Sequence, residues 1–281
     1  MKAELFLDAR AELAEGPVWD TAHSRLLWVD ILAGHVHATT PDGADDIIWD
    51  TGTTVGCIAP QTDGTWIVAE RDRLTRVTDW NERTELVTLP IPDTVRTNDG
   101  KLDPHGRMVV GTMAFDAIPD AGTLYSWDGT TLATLLAPVT ISNGLAWSAD
   151  GATLYYIDTP TQQIAAYDYR DDGTLGQRHV VVTIDDADGS PDGMTIDNDG
   201  ALWVALWGGR QVRRYLPDGT LDEVVEVDAT NVSCCTFAPD GTLYITTARI
   251  DSPENPGDGA IFRTPTDRGL SPGRHARSAE S

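Results

Sequence analysis

The chain has 281 residues, 41% of them hydrophobic and 23% charged, proportions that exclude a coiled coil or an extended disordered chain. No stretch approaches the roughly 18 apolar residues of a membrane helix, and the first ten residues lack the apolar core of a signal peptide, so the cytoplasm is the expected location. The formal net charge of −24 repels phosphate backbones and anionic lipid surfaces, which argues against nucleic acid or a membrane as partner.

Length alone leaves one or two domains open. Along the chain a phrase recurs six times: a small turn, a short apolar strand, a turn that is usually Asp-Gly, and a second strand rich in Leu, Tyr or Trp. It begins at Gly16–Asp20 with Leu26–Asp30, then Cys57–Pro60 with Asp63–Val68, then Lys101–Pro104 with Gly106–Val110. It continues at Gly144–Trp147 with Asp150–Tyr156, Gly193–Ile196 with Asp199–Val204, and Cys235–Pro239 with Asp240–Ile245. Between the markers Gly16, Gly56, Gly100, Gly144 and Gly193 the intervals are 40, 44, 44 and 49 residues, the length of a four-stranded propeller blade. Asp-Gly supplies the positive φ of tight hairpins, and no segment has a convincing helical period.

The predicted fold is therefore all-β, a six-bladed β-propeller formed as one domain over residues 1–267, with a disordered tail at 268–281. The extended stretch Glu4–Asp8 is expected to complete the last blade and close the ring. Ser252–Asp258 is expected to be a surface loop. Cys57, Cys234 and Cys235 make neither a disulfide framework nor a metal pattern and are expected as buried thiols. His35 and His37 share a strand face and are expected in solvent, while Arg210, Arg213 and Arg214 are expected to balance local acid.

Ligands of propellers usually sit at one mouth of the channel, so function must be sought in residues that occupy one phase of several repeats. Glu15, Asn98, Asn143 and Asp192 do so, each beside or close before a glycine of an inner apolar strand. Each alone is an ordinary turn residue. Together, two carboxylates and two amides directed at one axis would repel and remain unsatisfied without a cation, and an all-oxygen set suits a hard divalent ion.

Ala14–Trp19, Arg96–Pro104 followed by Gly106-Arg107 and Gly111–Met113, Ile141–Leu145, Pro191–Met194 and Ser233–Cys235 closely resemble, in order and spacing, the motifs of the regucalcin and gluconolactonase (senescence marker protein) family. The resemblance implies a six-bladed propeller with one divalent metal ion; the oxygen donors put Ca²⁺ foremost, with Zn²⁺, Mn²⁺, Mg²⁺ or Fe²⁺ as alternatives. It implies Glu15, Asn143 and Asp192 as metal ligands, Asp192 also as the acid/base residue, and Arg96 and Asn98 as holders of the sugar's oxygens. Asp116 falls where relatives of regucalcin carry a substrate-binding glutamate, a departure of one methylene.

These residues lead to an expected metal-dependent lactonase acting on a small sugar lactone such as gluconolactone or a pentonolactone. The rival readings are an esterase or phosphotriesterase using the same metal, and a non-catalytic calcium-binding regulatory protein, which would need neither the basicity of Asp192 nor Arg96 and Asn98. A closed ring leaves a monomer or a small homo-oligomer as the expected state. Among common catalytic motifs there is no Gly-x-Ser-x-Gly elbow, P-loop or His-Glu-x-x-His.

Overall fold

A computed structural model describes residues 1–80, 82–250 and 255–268. Six antiparallel four-stranded sheets follow one another in chain order. From the inside outward, blade 1 is Ala14–Asp20, Arg25–Asp30, His35–Thr39 and Asp46–Asp50; blade 2 is Val55–Pro60, Trp66–Glu70, Arg73–Asp79 and Glu82–Thr88. Blade 3 is Val95–Leu102, Met108–Ala114, Gly122–Trp127 and Leu132–Val139; blade 4 is Ser142–Trp147, Thr153–Asp158, Gln163–Tyr169 and Leu175–Thr183. Blade 5 is Ser190–Ile196, Leu202–Trp207, Gln211–Tyr215 and Leu221–Glu226. Blade 6 takes Asn231–Phe237, Thr242–Ala248 and Ile261–Pro265, and its outer strand is the N-terminal Glu4–Leu7.

Each inner strand packs against the inner strands of the blades on either side, so the six form a closed ring about one axis. The structure is thus the six-bladed β-propeller expected from the repeats, with Glu4–Leu7 closing blade 6 as foreseen. Residues ahead of that strand also bond to the outer strand of blade 5, where the Ala3 amide donates to Glu226 O at 2.8 Å. Among the described residues helical structure is confined to two three-residue 3₁₀ turns, and no helix is long and apolar enough to cross a membrane.

The core lies between neighbouring blades and is filled by strand residues such as Trp28, Trp203 and Phe237, all essentially inaccessible to water. Burying each such side chain contributes on the order of 2–3 kcal/mol. The hairpin joining the first two strands of a blade turns through a left-handed glycine, for example Gly151 at φ 75° and Gly241 at φ 88°. Blade 1 has no Asp-Gly there and uses Ser24 at φ 53° instead.

Three aspartates pin the segments that lead into inner strands. Asp30 accepts from the amides of Glu12 and Leu13 at 2.8 and 3.0 Å, just before Ala14 and Glu15. Asp158 accepts from the amides of Thr140 and Ile141, and Asp258 from that of Thr230 at 2.6 Å. Asp258 is buried, so the end of the expected surface loop is in fact part of this scaffold. Residues 252–254 of that loop, and the expected tail beyond Arg268, lie outside the described residues.

His37 corrects an expectation. It is buried, because the outer strand of its blade covers it: the ring stacks on Trp28 at a centroid distance of 3.6 Å and Nδ1 lies 2.8 Å from Asp46 Oδ2. Trp28 Nε1 donates to Thr39 Oγ1, which donates to Asp46 Oδ1, closing a satisfied polar network. His35 is partly buried beside it. The arginine cluster does balance acid, Arg213 against Asp188 at 2.6 Å and the buried Arg214 against Asp197 at 2.7 Å. All three cysteines are buried and unpaired.

Candidate active site

Every inner strand carries a bulge at the same phase. The register to the second strand slips between Glu15 and Val18, Val55 and Cys57, Thr97 and Gly100, Asn143 and Leu145, Pro191 and Met194, and Val232 and Cys234. A bulge inserts a residue that is not paired and re-aims its side chain. Six bulges at one level of a closed ring gather those side chains around the axis, which is why polar residues stand in strands that are otherwise apolar. The glycines of the repeat allow the strands to approach: a Cβ at Gly193 would lie 2.2 Å from Cys234 Sγ.

Glu15, Asn98, Asn143 and Asp192 all occupy this level and are all buried, with 5–6% exposure. Arg96, 5% exposed at the start of the blade 3 inner strand, joins them. Arg96 Nη1 donates to Asn98 Oδ1 at 2.7 Å, and Asn98 Nδ2 donates to Asn143 Oδ1 at 2.7 Å and to Ser142 O at 2.9 Å. Asn98 therefore spends both amide hydrogens inside the protein. What it can still offer a ligand is a lone pair of Oδ1, so it would receive a hydroxyl proton rather than give one. Asp116 is exposed in the turn just after Ala114, at the end of the strand that pairs with Arg96 through Met113.

Two residues of the site give no sequence signal of their own. Asp99, 4% exposed, accepts from the Gly100 amide at 2.7 Å with Oδ1, while its Oδ2 is buried without a hydrogen-bond partner. Lys101 stretches across two blades and donates to Leu145 O at 3.1 Å and to Met194 O. In sequence Asp99-Gly100 passes for a hairpin turn and Lys101 for a solvated cation. Their adjacency to Asn98 within the same bulged strand is the one clue.

The electrostatics follow from burial. Glu15 is pushed up to about 8, first by desolvation and then by the nearby Asp99. Asp192 is held well above the usual carboxylate range by desolvation, then by Glu15 and Asp99. Asp99 is raised by desolvation. Arg96 is lowered to about 10 by desolvation, opposed by Glu15 and Asp192, and so keeps its charge at neutral pH. Burial likewise raises the thiols of Cys57 and Cys234, which leaves them protonated and inert.

A prediction arises here. Without a cation the folded state holds a proton on Glu15 up to about pH 8, whereas the unfolded chain releases it near the ordinary glutamate value of 4.5. The unfolded state then binds fewer protons across that window, so stability is full below about pH 4.5 and falls as pH rises toward 8. Urea midpoints of chelator-treated protein should accordingly be lower at pH 8 than at pH 5.5, and equal midpoints would refute the carboxylate coupling.

The donor set fits a hard cation. Glu15, Asp192 and the Asn143 amide present oxygen, the unpartnered Asp99 Oδ2 is a further buried oxygen, and the three carboxylates, once ionised, would exceed the charge of Arg96 and Lys101. Among the described residues no three Asp, Glu, His or Cys side chains gather on a single point, so a bound ion would depend on the Asn143 amide as its third donor.

The family model described as SMP-30/Gluconolactonase/LRE-like region matches residues 13–249. Regucalcin of Danio rerio is 36% identical over 260 residues, covering 89% of this chain and 88% of its own. L-arabinolactonase of Azospirillum brasilense is 33% identical over 257 residues, with 89% and 85% covered. Among solved structures, the calcium-binding protein regucalcin from Agrobacterium tumefaciens superposes with a TM-score of 0.87 at 26% identity, covering 96% of this chain and 95% of that one.

Proposed function

The chain belongs to the SMP-30/gluconolactonase/LRE-like family, and from that premise we propose that it is a lactonase that opens a sugar lactone, such as gluconolactone or a pentonolactone, to the aldonic acid. The observation that carries this reading is a buried carboxylate with a raised proton affinity, Asp192, set at one level of the ring with the charged Arg96 and with the oxygen donors Glu15 and Asn143. A lactonase relative, the L-arabinolactonase, supports the substrate class.

Asp192 acts as general base and then general acid. A carboxylate oxygen takes a proton from the attacking water as the new C–O bond forms, and the same proton passes to the ring oxygen as the lactone C–O bond breaks. Its carboxylate, raised in proton affinity by burial and by Glu15 and Asp99, can hold the proton between the two steps. Arg96 keeps Nη1 on Thr97 O and Asn98 Oδ1, and Nη2 on Met113 Sδ at 3.3 Å, which locks the guanidinium plane. The remaining N–H groups offer fixed donors to the lactone oxygens. Asn98 Oδ1 receives a sugar hydroxyl, and Asp116, exposed in the turn after the strand paired with Arg96, would meet the sugar's outer hydroxyls.

Glu15, Asn143 and Asp192 would hold one divalent cation, Ca²⁺ in first place given the calcium-binding relative, with Mg²⁺, Mn²⁺, Zn²⁺ and Fe²⁺ as competitors. When bound, such an ion supplies Lewis-acid polarisation of the carbonyl.

The test is a pH-indicator assay over a panel of aldonolactones, with chelator-stripped protein and each of the five ions restored singly. Stripping is expected to lower turnover by about a hundredfold or more, the rate equivalent of several kcal/mol, and one ion should restore it. No turnover on any lactone with an ion bound would favour the esterase or the regulatory reading.

A further inference from the structure

Asn143 is held in a hydrogen-bond chain whose direction is fixed at both ends. It starts at Arg96, whose guanidinium can only donate, and passes to Asn98 Oδ1 at 2.7 Å. It continues from Asn98 Nδ2 to Asn143 Oδ1 at 2.7 Å, from Asn143 Nδ2 to Thr159 Oγ1 at 2.8 Å, and from the Thr159 hydroxyl to Pro191 O at 2.8 Å. The last member is a backbone carbonyl, which can only accept. No link can be reversed without setting two donors or two acceptors face to face, so the amide of Asn143 has one allowed orientation, with its oxygen on the side of Asn98.

Thr159 holds the nitrogen end of the Asn143 amide as Asn98 holds its oxygen end. The terminal torsion of an asparagine is soft and roughly two-fold, so nothing intrinsic distinguishes oxygen from nitrogen. Thr159 Oγ1 captures the nitrogen and hands its own proton to the residue immediately before Asp192. Its own position is rigid: its amide donates to Ile141 O at 3.1 Å, and the preceding Asp158 carboxylate grips the Thr140 and Ile141 amides. One hydroxyl thus links the inner strand of blade 4, at Asn143, to that of blade 5, next to Asp192.

We propose that Thr159 is a positioning residue of the cation site: its hydroxyl aims the Asn143 oxygen at the ion and fixes the spacing between Asn143 and Asp192. The proposal rests on Asn143 as a cation donor. Residues behind metal ligands commonly change affinity by 10–100-fold when removed.

The test is calorimetric titration of chelator-stripped wild-type, Thr159→Val and Thr159→Ser proteins with Ca²⁺, Mg²⁺, Mn²⁺ or Zn²⁺ alone. Valine keeps the shape of threonine without the hydroxyl, and serine keeps the hydroxyl without the methyl. The Kd of the tightest-binding ion should rise about tenfold or more in Thr159→Val and stay within about threefold of wild type in Thr159→Ser. Melting of the stripped proteins, expected to agree, separates an affinity loss from a folding loss. An unchanged Kd in Thr159→Val overturns the proposal, and so does a Thr159→Ser protein as weak as Thr159→Val, since the methyl would then be responsible. Wild-type protein that binds none of the four ions overturns the reading of the site itself and this inference with it.

Discussion

Asp192→Asn should lower kcat for lactone opening by about a thousandfold, within the range for a lost general acid/base, while leaving the melting temperature of the cation-free protein unchanged or higher. The asparagine has the same shape and retains an oxygen that can face a cation or a ligand, so the loss isolates the proton-accepting role. Stability should not suffer, because desolvation and then the neighbouring Glu15 and Asp99 disfavour the ionised form, and they outweigh Arg96 and the Gly193 amide, which favour it. Removing that charge relieves desolvation and like-charge repulsion together. Steady-state kinetics with saturating cation, read alongside thermal melting, decide the matter. An Asp192→Asn enzyme within tenfold of wild type would move the base elsewhere, with Glu15 the next candidate.

Gly56→Ala is expected to destabilise the fold by about 1–3 kcal/mol, the usual cost of overpacking, and to damage the site at the same time. The added Cβ would sit 2.3 Å from Asn98 O and 2.8 Å from Thr97 C. These neighbours are backbone, held in the bulge of blade 3, with the Thr97 hydroxyl bonded to Ala69 O and Glu70 O at 3.1 and 2.9 Å. Relief therefore displaces the strand that carries Arg96, Asn98 and Asp99. A fall of several degrees in melting temperature should accompany a lower kcat/KM. A variant that melts within about 1 °C of wild type and keeps its activity would show that the ring is looser at this level than the distances imply.

The two substitutions probe the same design from opposite sides. Each blade spends a bulge and a small residue at the axis, and what is gained is a ring of polar groups inside strands that would otherwise be uniformly apolar. The cost is a cluster of buried carboxylates whose proton affinities are raised, so cation-free protein is expected to lose stability as pH rises.

Much of this was legible in the chain before it was folded. The spacing of Gly16, Gly56, Gly100, Gly144 and Gly193, together with the Asp-Gly hairpins, specified six blades, because hairpins and strand alternation are local and each repeat writes them afresh. The polar interruptions at Glu15, Asn98, Asn143 and Asp192 stood out for the same reason: an amide or carboxylate in an apolar strand has to be accounted for. His37 escaped, since its strand alone gives no sign that Asp46–Asp50 folds over it.

The repeat, its length and the phase at which polar residues recur are consequences of interactions between residues close along the chain, and so could be read from it directly. The packed ring, by contrast, is what buries Asp99 with an unpaired oxygen, carries Lys101 to blades 4 and 5, and sets Thr159 between Asn143 and Pro191. Those facts depend on the packing of blades 3, 4 and 5 around the axis, which brings residues from different repeats to one level. The direction of a hydrogen bond between them exists only once both partners are in place.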